Sequence, residues 1–288
     1  MIERPMRSAL YLPASNLRAI EKARTLPCDV VILDLEDAVG PEAKQVARDQ
    51  LAGALGGGFA APTVVIRVNG FDTEWGAADL DAAVAARPDA ILVPKVDSSA
   101  ALLPYEDRIG KGSGIALWAM VETARSVFRL DDIASAAERG LLSCLVLGTN
   151  DLAKESGAQP GLDRLPFQAL FGLAVMAARA SGIAILDGVF NALDDAEGLA
   201  AQCRQAVEFG FDGKTLIHPR QIDTCNAAFT PDADAVAAAR RIIAAFDAPE
   251  NAGKGAIRLD GKMVERLHLV QARRTLAMAG IDSAAPPR

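Results

Sequence analysis

The sequence predicts an α/β protein, a (β/α)8 TIM barrel followed by a C-terminal helical arm. Three observations carry that prediction. Short apolar runs rich in β-branched residues recur eight times between Ser8 and Pro219, and Ala-rich segments with helical spacing lie between them. A parallel sheet covered on its outer face needs that alternation, and eight units in about 220 residues match the size of a closed barrel. The rival, a doubly wound open sheet, needs a Gly-rich phosphate turn after its first strand, whereas the chain reads "LPASN" there.

The elements follow in order. "SALYLP" begins at Ser8 and leads into the helical "SNLRAIEKARTL". "DVVILDLED" from Asp29 precedes "PEAKQVARDQLAGAL", and "TVVIRVN" from Thr63 precedes "DTEWGAADLDAAVAA". "AILVPKV" from Ala90, "IALWAMVET" from Ile115 and "CLVLGTND" from Cys144 are the next strands, with the helix "LPFQALFGLAVMAARASG" after the last. "GIAILDGVF" from Gly182, "DAEGLAAQCRQAVEFG" and "GKTLIHP" from Gly213 close the set. Two glycine clusters, "GALGGGFAAP" and "GKGSG", each precede a strand, so they are connections on the face away from the strand ends and not phosphate loops. We therefore expect a catalytic barrel over 1–230 and an arm over 231–288. The arm comprises the helix "PDADAVAAARRIIAAFDA", the turn "PENAGKG" and the amphipathic "AIRLDGKMVERLHLVQARRTLAMAG", and it packs on the barrel or on a neighbouring subunit. The terminal "SAAPPR" is expected to be disordered.

Composition excludes several classes of function. A net charge of −7 and a pI near 5.0, with no basic run, leave no footprint for nucleic acid or an anionic membrane. No apolar run approaches the roughly 20 residues of a membrane span, and the first residues carry charge where a signal peptide has its apolar core. We expect a cytoplasmic protein with a small-molecule substrate. Cys28, Cys144, Cys203 and Cys225 form no CxxC pair and are expected to be reduced core residues. His218 and His268 are the only histidines and neither lies in a Ser or Cys motif, so a Ser-His or Cys-His mechanism has no support.

The C-terminal ends of barrel strands face a common site. Reading those ends gives Asp34, Glu36 and Asp37, then Arg67 and Asn69, Lys95, Glu122, Asp151, Asp187 and His218. Acid dominates, with no histidine pair and no thiolate cluster. That donor set suits a hard divalent cation, Mg2+ first, with Mn2+ accepted by the same oxygens. A cation, or water held by one, would explain how the apolar run at Val30 can end in three carboxylates. Taken singly each acid also reads as a helix cap or a solvated loop residue; Glu122 and Asp151 resist that because each closes a long apolar run. Lys95 reads equally as an ion-pair partner or a substrate contact, His218 as structural, and Asp187 as a holder of backbone amides.

In order, "RSALYLPASNLRAIEKA", "DVVILDLEDAVGPEAK", "VIRVNG", "ILVPKV", "MVETARSV", "LVLGTNDLA" and "GFDGKTLIHPRQI" resemble the citrate lyase beta subunit and its CoA-ester lyase relatives, malyl-CoA and citramalyl-CoA lyases among them, in the HpcH/HpaI aldolase group. The resemblance covers about residues 4–275. It implies a Mg2+-dependent lyase that breaks or forms a carbon–carbon bond beside a CoA thioester, giving an acyl-CoA and a 2-keto acid. By it, Glu122 and Asp151 match metal ligands, Glu36 and Asp37 match acids that hold metal-bound water, and Arg67 matches the arginine that stabilises the enolate. The amides of Gly148, Thr149, Asn150 and Asp151 would cradle the keto-acid carboxylate, as turns with successive N–H groups do. Two positions depart from the family pattern: Ala14 stands where Gly is usual, and Glu265 of "GKMVER" stands where an arm Asp serves as acid or base across a subunit interface. The arm thus implies a homotrimer or homohexamer. Two rivals remain open: a metal-dependent aldolase on free 2-keto-3-hydroxy acids, and a subunit that works with an acyl-carrier protein inside a citrate lyase complex.

Overall fold

All eight apolar runs form strands. They are β1 (Ser8–Pro13), β2 (Val30–Asp34), β3 (Thr63–Arg67), β4 (Ala90–Val93), β5 (Ala116–Val121), β6 (Leu142–Leu147), β7 (Ala184–Asp187) and β8 (Gly213–Leu216). The strands are parallel and in sequence order, and β1 pairs with β8 to close the barrel. The structure, a computed structural model, describes residues 4–281; "SAAPPR" lies outside them.

Alternation along each strand decides which residues point inward. Val30, Ile32, Val65, Leu92, Trp118, Met120, Cys144, Val146 and Leu186 belong to a cluster inside the barrel. Leu10, Val31, Leu33, Ile66, Ile91, Leu145 and Ile185 face the helical layer. Both faces are apolar because both are covered, which is why the runs read as continuous. Fully burying one such Val, Leu or Ile contributes roughly 1.5–3 kcal/mol. Trp118 and Met120 fill the interior below the strand ends, so the barrel has a floor and its mouth opens on one side only.

Among the described residues ten α-helices surround the strands: α1 (Leu17–Ala23), α2 (Lys44–Gly56), α3 (Gly76–Ala86), α4 (Leu103–Ile109), α5 (Ala124–Val127), α6 (Leu130–Ser135), α7 (Thr149–Ser156), α8 (Gln168–Ala180), α9 (Ala196–Phe209) and α10 (Ile222–Phe229). Side-chain caps mark several starts. Asn16 accepts the Ala19 N–H at 3.0 Å and Asp195 that of Gly198 at 2.8 Å. The short helices α4 to α7 were not among the sequence expectations, being too brief to show a clear period.

The arm consists of α11 (Ala233–Asp247), a hairpin of β9 (Ala256–Leu259) and β10 (Lys262–Glu265), and α12 (Arg266–Met278). The hairpin corrects the expectation of one amphipathic piece. Its turn is Asp260-Gly261, with φ of 50° and 78°, the left-handed pair that an Asp-Gly hairpin turn uses. The arm has a core of its own, built from Ala239, Ile243, Phe246, Ile257, Val264 and Leu269 with their neighbours. It is tied to the barrel near its end, where Arg274 pairs with Asp212 and Met278 joins the outer barrel cluster.

Candidate active site

Asp34 and Arg67 are register partners on β2 and β3, and both point into the barrel mouth. Arg67 Nε donates to Asp34 Oδ1 at 2.7 Å and Nη2 to Oδ2 at 2.5 Å, a fork-to-fork pair. The same carboxylate also accepts the N–H of Glu36 at 2.9 Å and of Ala38 at 3.0 Å, so it holds the loop that follows β2. The guanidinium stacks over the Tyr11 ring, 4.8 Å from its centroid. Burial is the largest influence and works against the charge on Arg67, but Asp34, Tyr11 and Glu36 together outweigh it and raise its pKa well above the ordinary value.

The acidic end of β2, where the sequence leads us to expect a cation or water held by one, is met by the protein cations Arg67 and Lys95. Glu36 Oε2 lies 2.8 Å from Arg67 Nη1, and Oε1 lies 3.6 Å from Lys95 Nζ. Asp37, largely exposed, lies 3.6 Å from Arg67 Nη1. Glu36 is buried, and burial pushes its pKa up to about 8 against the pull of Arg67, helped by Asp37, Glu122 and Asp34.

Glu122 follows β5 and is only 2% exposed. Its Oε1 accepts the Lys95 N–H at 2.8 Å. Burial pushes its pKa up to about 7; that hydrogen bond opposes the rise, and the charge of Asp151 adds to it. Asp151 lies in the first turn of α7, half-buried. Gly148, between β6 and α7, is where the backbone of one strand end meets the carboxylate of the next. A Cβ there would collide with Glu122 Cβ and stand 2.5 Å from Oε2.

These residues suit a hard divalent cation. Two carboxylates sit at neighbouring strand ends, and burial opposes the ionised form of one of them. Beside them a buried oxygen of Glu36, in ion-pair reach of Arg67, accepts no hydrogen bond. Among the described residues no group of three or more His, Cys, Asp or Glu is placed to hold a metal. A cation at Glu122 and Asp151 would therefore complete its shell with water or substrate oxygens, as Mg2+ does.

The expected amide cradle needs one correction. The Gly148 N–H donates to Val121 O at 3.0 Å, continuing the β5–β6 ladder, and is not available to a ligand. Thr149 and Asn150 open α7, where first-turn amides have no partner within the helix. The Asn150 side chain is paired with that of Asn191, at 2.8 Å and 3.3 Å.

Other residues at strand ends do different work. Asn69 donates through Nδ2 to Asp79 and accepts at Oδ1 from Lys44 Nζ, which also donates to the carbonyls of Leu35 and Glu36 at 2.7 and 2.8 Å. This buried network fixes the loop bearing Glu36. Sequence reasoning missed Lys44, because a lysine in a helical stretch looks solvated. It missed Tyr11 for want of any polar pattern around it. Asp187 points outward, alternating with Leu186, and is enclosed by Lys214 at 2.7 Å and Arg164 at 2.7 and 2.9 Å. His218 Nδ1 accepts the Arg220 N–H at 3.1 Å and caps the turn after β8. Glu265 is the N-cap of α12, in a reciprocal box with His268. Among the described residues it makes no ion pair or hydrogen bond with the barrel mouth.

Residues 7–219 match the HpcH/HpaI aldolase/citrate lyase family. The chain is 49% identical over 276 residues to a (3S)-malyl-CoA thioesterase of Cereibacter sphaeroides, covering 96% of this chain and 95% of that protein. It is 32% identical to an L-malyl-CoA/beta-methylmalyl-CoA lyase of the same species, covering 98% and 96%. Among solved structures, the protein CitE from Mycobacterium tuberculosis in complex with magnesium, acetoacetate and coenzyme A superposes with a TM-score of 0.72 at 31% identity, covering 96% of this chain and 98% of that one.

Proposed function

This chain belongs to the HpcH/HpaI aldolase/citrate lyase family, and we propose that it is a Mg2+-dependent carbon–carbon lyase acting on a 3-hydroxyacyl-CoA of the malyl-CoA kind. The observation that carries the reading is the Asp34–Arg67 pair. A guanidinium locked by two hydrogen bonds and a stacked ring, at the mouth of a barrel with a packed floor, is a preorganised partner for a developing oxyanion. In retro-Claisen cleavage the hydroxyl proton leaves, the C2–C3 bond breaks, and its electron pair moves onto the thioester oxygen as an enolate. Arg67 stabilises that charge, and a proton then returns to C2 to give the acyl-CoA. Glu122 and Asp151 would hold Mg2+, and the amides of Thr149 and Asn150 would orient the 2-keto acid carboxylate. When bound, the cation supplies Lewis-acid polarisation of the hydroxyl that becomes the keto oxygen. Magnesium and coenzyme A in the CitE complex support this assignment.

After Asp34, which is committed to its fork, Glu36 and Asp37 are the acids nearest Arg67, and they are the candidates for the proton transfer and for holding water at the cation. Glu265 serves, in this reading, a neighbouring subunit of a homotrimer or homohexamer, since no hydrogen bond or ion pair among the described residues joins it to the mouth of its own barrel. Four unpaired, buried cysteines support a reducing, cytoplasmic setting.

A second reading, hydrolysis of a malyl thioester to malate and CoA, is favoured by the 49% identity to the thioesterase. Water attack on the thioester carbonyl places negative charge on the same oxygen, so Arg67 serves both and the readings differ in the bond that breaks. Pure protein with Mg2+ and malyl-, citramalyl- or citryl-CoA, followed by mass identification of products, separates them. Acyl-CoA plus a 2-keto acid supports the lyase; the free hydroxy acid plus CoA supports hydrolysis. Turnover of none of these soluble esters would overturn both.

A further inference from the structure

Lys95 holds a backbone conformation that a residue with a Cβ adopts rarely. Its φ is 51°, in the left-handed region, directly after Pro94. Such geometry is sterically costly and persists where surroundings impose it, often at functional sites. Here it falls one residue after the strand end. β4 stops at Val93, Pro94 has no N–H, and the chain returns to its neighbour only at Val96, whose N–H donates to Met120 O at 3.3 Å. The one amide released between them is that of Lys95, and the left-handed turn aims it at Glu122 Oε1, 2.8 Å away.

The consequences meet at one carboxylate. Oε1 is held by the Lys95 amide, while the space beside Oε2 exists because Gly148 has no Cβ. Among the described residues Oε2 accepts no hydrogen bond, so it is the oxygen left for a ligand. The Lys95 side chain runs elsewhere: it is half-exposed, with Nζ 3.6 Å from Glu36 Oε1. Main chain and side chain therefore touch different acids, and their roles can be separated by substitution.

We propose that Lys95 is a positioning residue for the cation ligand Glu122, acting through its left-handed main chain and not through its charge. The proposal rests on the reading of Glu122 as a metal ligand, and it names what orients that ligand. Glycine and, to a lesser degree, asparagine accept positive φ, whereas a β-branched residue does not. Lys95→Gly and Lys95→Asn thus keep the turn and remove the ammonium, and Lys95→Val strains the turn.

Mn2+ affinity, measured by electron paramagnetic resonance on the full chain with folding checked by circular dichroism, reads the difference without any turnover. Lys95→Gly and Lys95→Asn should bind within about threefold of wild type, and Lys95→Val should bind at least about tenfold more weakly, the lower end of what outer-shell partners of metal ligands contribute. A Val variant that binds like wild type, or Gly and Asn variants as weak as Val, overturns the proposal. Should the Val variant fail to fold, hydrogen exchange decides: the Lys95 amide should exchange slowly in the wild type and at least about tenfold faster in Glu122→Ala, and an unchanged rate overturns the proposal. A wild type that binds no Mn2+ removes the metal reading itself and this inference with it, whereas binding that ignores the Val substitution removes only the inference.

Discussion

Gly148 lies so close to Glu122 that a single methyl group on it would stand 2.5 Å from the carboxylate Oε2. Its φ of −101° is open to any residue, so the constraint is space and not conformation. Gly148→Ala should therefore leave the barrel folded and displace Glu122, weakening Mn2+ binding by at least about tenfold, roughly 1.4 kcal/mol. Glu122→Ala and Asp151→Ala should abolish both metal binding and turnover. Titration calorimetry checks all three, and wild-type affinity in the Gly148→Ala variant would refute the placement of the cation.

Arg67→Lys tests whether the guanidinium acts on the transition state. Lysine cannot reproduce two parallel hydrogen bonds to Asp34, and its ammonium would not be held over Tyr11. We expect kcat to fall at least about tenfold, with KM changed less, because the charge that Arg67 stabilises exists only as the bond breaks. A change confined to KM would make Arg67 a substrate grip.

Glu36 makes a prediction about pH. Its ordinary pKa of 4.5 is pushed up to about 8 in the folded protein by burial. The folded state thus binds this proton more tightly than the unfolded chain. The cost of ionising Glu36 is absent below about 4.5, grows as pH rises, and is complete above about 8. Glu36→Gln escapes it. In metal-free buffer the Gln variant should gain stability over wild type between pH 5 and pH 8, by roughly 1 kcal/mol or more in urea denaturation. Parallel pH profiles would count against a neutral, buried Glu36.

Asp187 tests the outer face. Burial opposes its charge, yet Lys214 and Arg164 outweigh it and hold its pKa below the usual carboxylate value. Asp187→Ala leaves two buried cations unpaired, a loss of about 3–5 kcal/mol. The expected result is a large drop in thermal midpoint, with residual folded enzyme binding Mn2+ normally. A small drop would mean that water reaches the pair.

Glu265→Gln removes a proton carrier but keeps an oxygen for the α12 cap. If the arm serves a neighbour, the variant should fold, bind Mn2+ and turn over poorly, and mixing it with Arg67→Ala subunits should restore some activity through hybrid interfaces. Wild-type turnover in Glu265→Gln would leave Glu265 a cap and nothing more.

Much of this is legible in the sequence alone. The eight strands could be read because burial on both faces makes each a continuous apolar run, and the acids that end those runs led to Glu36, Glu122 and Asp151. What could not be read was direction. In "AILDG" both faces are apolar, so nothing in the string says that Asp187 turns outward to Lys214 while Glu122 turns inward. Lys44 was hidden because its burial depends on Asn69 and Asp79, remote in sequence. Asp260-Gly261 is a hairpin dipeptide, but the helical period of the residues after it makes the whole stretch read as one amphipathic piece. The partner of Asp34 needed register, which only strand pairing supplies.

Asp34 accepts four hydrogen bonds, two from Arg67 and two from the loop carrying Glu36 and Asp37. That arrangement limits how descendants of this protein can diverge. A change in loop length would swing the carboxylate and mis-aim the guanidinium in the same step, so the two features must be inherited as a block. New substrate preferences should then accumulate where no such knot exists, at the exposed residues 192–194 after β7, and not in the turns after β5 and β6 that carry Glu122 and Asp151. Swapping that short stretch between relatives is the recombination most apt to yield active hybrids.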